Sequence, residues 1–111
     1  MTVTAKTLYE TVAIAAAETT MYTAPANTRT VIDKHTLTNT TAGAILVTVR
    51  LIPSGSVAAG GFAVMNLVSI GPNTSYTCPE IVGHVLNPGD FISILPAAVG
   101  INGRASGREV N

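Results

Sequence analysis

Asp33 and His35 are the first residues in this 111-residue chain whose types and spacing could do chemistry. They stand one residue apart in a stretch that reads as a strand, a spacing that points both side chains to the same face. A carboxylate orienting an imidazole is half of a catalytic triad or of a metal site's outer shell. The other half is absent from the sequence. No GxSxG elbow occurs, and the serines sit in turns or unrelated strands. With Arg29 and Lys34 close by, the pair reads as a polar patch, and Asp33 and His35 are the candidate subunit-contact residues.

A metal could in principle gather His35, His84 and Cys78. Zinc sites need three or four ligands, normally in close pairs such as CxxC or HxxxH, and none of these three has such a neighbour. The HxH motif of cupin-type barrels is also missing. Cys78 precedes Pro79 and Glu80, with no helix N-terminus or cation to lower its pKa, so it reads as a small buried hydrophobe. Tyr9, Tyr22 and Tyr76 are too few, without any tryptophan, for a sugar-stacking platform, and read as strand-end tyrosines whose hydroxyls reach backbone. The expectation is therefore no enzyme, no metal and no cofactor.

The elements that carry these residues are strands. Ile45, Val47, Val49 and Leu51 alternate with Leu46, Thr48, Arg50 and Ile52, the period of a strand between two unlike environments. Turn signals recur at short intervals, and nothing between them has helical period. Strands are expected over Thr7 to Ile14, Thr20 to Thr23, Arg29 to Asn39, Ala44 to Ile52 and Phe62 to Ile70. Further strands are expected over Thr74 to Cys78, Glu80 to Leu86, Phe91 to Leu95 and Val99 to Val110. Arg29 to Asn39 and Ala44 to Ile52 are expected to form a hairpin through the polar turn at Asn39 to Gly43. Pro53 to Gly61 reads as a flexible loop, and Asn87-Pro88-Gly89-Asp90 as a type II turn. Gly100, Gly103 and Gly107 suggest bulges, a bend or close backbone approach. Eight or nine short strands at this spacing predict an all-β chain, an antiparallel β-sandwich or jelly roll, as one domain over residues 1–111. Residues 1–17 supply a first strand, or an arm reaching a neighbouring subunit.

Composition points to assembly. Charged residues are 11% of the chain against about 25% in a typical soluble domain, while 47% of residues are hydrophobic. No apolar run approaches the roughly 20 residues that span a bilayer, and no basic segment leads an apolar one as in a secretory signal. Sixteen threonines supply part of the missing polarity. The rest of the deficit points to an outer surface that contacts other subunits, with a bland monomer as the alternative. Six basic and six acidic residues are spread along the chain, without the clustered cations that nucleic acid requires. A lone cysteine excludes an intrachain disulfide and fits assembly in a reducing cytoplasm.

Five blocks resemble a family of small virion structural proteins of tailed bacteriophages. They are Thr20 to Thr28 (TMYTAPANT), Leu37 to Thr41 (LTNTT), Val49 to Gly55 (VRLIPSG), Leu86 to Ile92 (LNPGDFI) and Ser106 to Val110 (SGREV). Their consistent order over roughly residues 20 to 110 carries more weight than any one block. The chain departs from the pattern at His35 and Thr36, where such proteins are more apolar. The resemblance implies a β-sandwich in the virion, made in the host cytoplasm. Its implied task is a capsid decoration (cement) protein that binds itself and the major capsid protein or another virion protein, with a tail, neck or fibre module as the alternative. A non-catalytic host- or glycan-binding β-sandwich leaves no sequence motif and stands as a third reading.

Overall fold

The structure is a computed structural model that describes residues 1–58 and 60–111. Among the described residues nine strands form in chain order: β1 (Val3–Ile14), β2 (Thr19–Thr23), β3 (Arg29–Asn39), β4 (Ile45–Ile52), β5 (Ala63–Ile70), β6 (Thr74–Tyr76), β7 (Val85–Leu86), β8 (Phe91–Pro96) and β9 (Ile101–Val110). One 3-10 turn, Gly60–Phe62, precedes β5. The first sheet has the order β1-β9-β3-β6 with β7 also on β3, and the second has the order β2-β8-β4-β5. All described pairings are antiparallel.

The pairs are nested. β4 meets β5, β3 meets β6 and β7, β2 meets β8 and β1 meets β9. This is one long hairpin rolled up, so that β9 also reaches β3 and β8 also reaches β4. The outcome is the two-sheet strand order of a jelly roll, within the all-β sandwich class expected from strand spacing.

One pairing differs from expectation. β3 and β4 do not form a hairpin, because they lie in different sheets. The polar turn between them is an arch, held by Asn39. Its amide donates to the Gly43 and Ile70 carbonyls at 2.7 and 3.0 Å, and its oxygen accepts from the Thr41 N–H and hydroxyl. A fully buried asparagine that satisfies four groups fixes the crossing and leaves β3 free to pair in the other sheet. The segment expected as a strand over Glu80 to Leu86 is a turn until Val85. Cys78 sits at φ 49 and Pro79 has no N–H to give a ladder, so the chain coils through Ile81 before β7. β1 starts four residues earlier than expected and runs along β9. The loop expected over Pro53 to Gly61 includes Ala59, which lies outside the described residues.

The core lies between the sheets, with Ile32, Leu37, Val47, Val49, Ile92, Ile94 and Ile101 fully buried. β4 alternates only at its start: Ile45, Val47 and Val49 enter the core and Leu46 is exposed, but Thr48 and Ile52 on the opposite face are buried as well. β9 is built differently. Its inward residues after Ile101 are Gly103, Ala105 and Gly107, small side chains over which larger ones from β1 and β3 can lie. A Cβ on Gly107 would stand 2.0 Å from the Val31 carbonyl oxygen. Only glycine allows that approach, and it occurs where β3 bulges.

Candidate functional site

That bulge takes the expected pair apart. Ile32 pairs with Gly107 and Lys34 with Ser106, leaving Asp33 as one extra residue on β3. The inserted residue inverts the strand's alternation. Thr30 and Ile32 point inward, Asp33 and Lys34 are both exposed, and His35, Leu37 and Asn39 point inward again. The expectation that Asp33 and His35 share a face is therefore corrected. Asp33 lies on the outer face of the first sheet, where Arg108 grips its carboxylate through Nε (3.0 and 3.2 Å) and a terminal nitrogen (3.0 Å). His35 is 0% exposed in the single chain, so in this fold its side chain cannot touch a neighbouring subunit.

His35 has an inward partner. Tyr9 Oη lies 2.6 Å from His35 Nε2, and the two rings meet edge to face with centroids 5.6 Å apart. The Tyr9 hydroxyl, Ile14 and Leu37 occupy the space over Gly103, where a Cβ would come within 2.9 Å of the first two. His35 Nδ1 has no partner among the described residues. Burial pulls the imidazole pKa from 6.5 down to about 4, so the ring is neutral near pH 7. Burial likewise raises the Tyr9 phenol well above its ordinary value. The neutral, buried pair ties β1 to β3 across Gly103 of the intervening β9. Cys78 is buried as well, and desolvation pushes its thiol up to about 12, as expected of a small hydrophobe rather than a nucleophile. Among the described residues, no three His, Cys, Asp or Glu side chains gather as metal ligands.

Nothing local in the sequence links Tyr9 to His35, because the two are 26 residues apart. The alternating Gly103, Ala105 and Gly107 hold the available signal: small inward residues on a central strand require large neighbours leaning over them. The other two tyrosines bond side chains rather than backbone. Tyr22 donates to Glu109 Oε2 at 2.6 Å and lies 2.8 Å from Thr30 Oγ1, while Lys6 reaches Glu109 at 3.2 Å. Burial, followed by the bond to Glu109, pushes the Tyr22 phenol up to about 12. Tyr76 donates to Glu80 at 2.7 Å, and that bond leads in raising it to about 12 as well.

The Tyr22–Glu109 end of the sandwich also collects three turns. The Ala24 N–H donates to the Asp90 carbonyl and the Gly89 N–H to the Ala24 carbonyl, both at 2.9 Å. The Asp90 carboxylate accepts from the Ser54 and Asn87 N–H groups, each at 3.0 Å. Four of the five sequence blocks named above thus meet at one end, and the fifth forms the Asn39 arch at the other.

The outer face of the first sheet carries a groove. Extra residues in β1 on either side of Tyr9 shift its register on β9. Beside them lies an open groove of about 350 Å³, lined by Thr11, Lys34, Thr36, Thr38, Asn102 and Arg104. Its side chains offer hydroxyls, an amide and two cations. Arg104 pairs with Glu10 at 2.9 Å, and Lys34 has no partner among the described residues. None of the three tyrosines lines it. No family model, no curated protein and no solved structure matches this chain.

Proposed function

We propose that this protein is a structural component of a tailed-phage virion, a decoration protein that binds the outer capsid shell as a homo-oligomer. The observation that carries the reading is the poverty of charge on a surface that still exposes Val3, Val12, Leu46, Val57, Leu67, Val85 and Val99. Six basic and six acidic residues cannot solvate such a surface alone, and most of them are already paired with each other. Burial against neighbouring subunits resolves both features. The five virion-like sequence blocks support the same reading.

The mechanism is linkage. A protein that binds only the assembled shell stabilises that state by mass action, and contacts across capsomer boundaries add buried area where the shell would part. Packaged DNA repels itself, and the outward load grows when counterions are withdrawn. Heads assembled without the protein should therefore release DNA more readily on heating or on chelation of divalent cations, and purified protein added back should restore resistance. Heads that are as resistant without it, on particles that are tailless or fail to adsorb, would replace this reading with the tail or neck module.

A further inference from the structure

We propose that two copies of this chain pair through the free edge of β1, residues Val3 to Thr7, in an antiparallel two-fold that joins their first sheets into one. This rests on the reading of the protein as self-assembling and names the surface that does it.

Open sheet edges invite pairing, and folds blunt them with short strands, bulges, proline or charge. The described edges of this sandwich differ in just this respect. At one end of the first sheet, β6 has three residues and β7 two. At the ends of the second, β2 slips register at Met21, and β5 bulges at Leu67, which sits at φ 50. The far half of β1 is bulged on both sides of Tyr9. Val3 to Thr7 is the longest stretch of described edge in unbroken register, and it has no proline or glycine. Its single charge, Lys6, is turned onto Glu109 of its own sheet, and Val3 to Lys6 are all exposed.

The hydrogen-bond phase decides which groups are free. Thr2 and Asn111 exchange both backbone bonds, at 2.6 and 3.0 Å. Alternation then turns Thr4 and Lys6 toward β9 and leaves the N–H and C=O of Val3, Ala5 and Thr7 pointing outward. These three are self-complementary about Ala5. Val3 faces Thr7 of the second copy, Ala5 faces Ala5 and Lys6 faces Thr4; the two Lys6 are diagonal neighbours, each neutralised by Glu109 of its own sheet. A two-fold contact of this kind is closed. The short opposite edge gives it nowhere to propagate, so the product is a dimer rather than a fibre.

The test uses the purified full chain. Ala5→Pro removes an outward donor without touching the bonds to β9, and proline is tolerated at such edge positions. Sedimentation of the unaltered protein at tens of micromolar should show a dimer, weakened roughly tenfold or more by Ala5→Pro with circular dichroism unchanged. Ala5→Cys should cross-link to a dimer under mild oxidation, whereas Ala13→Cys, exposed beyond the bulges, should not. If Ala5→Pro unfolds, the cross-linking pair decides alone. An oligomer indifferent to Ala5→Pro and without selective cross-linking overturns the β1 pairing and leaves self-assembly standing. A monodisperse monomer overturns both, while the role on the particle is judged separately by the stability of heads. Binding to heads that is lost on Ala5→Pro while self-association persists assigns the edge to another virion protein, and also overturns the proposal.

Discussion

The buried Tyr9–His35 pair should leave a signature in the pH dependence of stability. Its folded-state pKa of about 4 lies below the 6.5 of an exposed histidine. Above pH 6.5 both folded and unfolded chains hold the ring neutral, and the full stability is present. Between 6.5 and about 4 only the unfolded chain takes up the proton, so stability falls as pH falls. The displacement corresponds to a loss of roughly 3 kcal/mol across that window. Replacing His35 by Leu removes the titration but strands the Tyr9 hydroxyl, at a cost of about 1–3 kcal/mol. Tyr9→Phe strands the imidazole Nε2, leaving a ring with neither nitrogen bonded, at a similar cost. For a chain of this length each kcal/mol moves Tm by roughly 3–6 °C, so either single variant should melt about 5–15 °C lower. The double variant Tyr9→Phe/His35→Leu leaves no polar atom behind and should cost less than the two singles together. Urea titrations followed by circular dichroism from pH 4 to 8, on all four proteins, measure the free-energy losses and their pH slope, and thermal melts measure the shift in Tm. Subtracting the double variant's profile from the parent's removes whatever the carboxylates contribute. Additive losses, with the same pH slope in all four, would refute the idea of a neutral pair held by mutual satisfaction.

Glycine substitutions on β9 should rank by what the new methyl meets. Gly107→Ala drives it against the rigid Val31 carbonyl and should cost more than about 3 kcal/mol, or prevent folding, whereas Gly103→Ala meets movable side chains and should cost roughly half as much by thermal melting. Cys78 should resist alkylation by iodoacetamide at pH 8 in the folded protein and react fully in urea, and rapid labelling of the native chain would contradict its burial.

Much of this architecture is local and therefore legible in the residues. Strand period, turn chemistry and the all-β class depend on neighbours along the chain, and β3 begins and ends at the residues expected from the sequence. The Asn87–Asp90 turn closes as its residues require, with Gly89 at φ 86. The close backbone approach suggested for Gly107 is likewise present. What the tertiary structure decided is which strands meet and where a register slips. The arch at Asn39 depends on buried partners as distant as Ile70, so it cannot be told from a hairpin turn by composition. The bulge at Asp33 arises only where Gly107 of β9 lies against Val31, and one extra residue there sends Asp33 to solvent and His35 into the core. A period of two is a local property whose sign a single inserted residue reverses. For that reason the face on which a strand's polar residues fall was settled by pairing with a strand some 70 residues away.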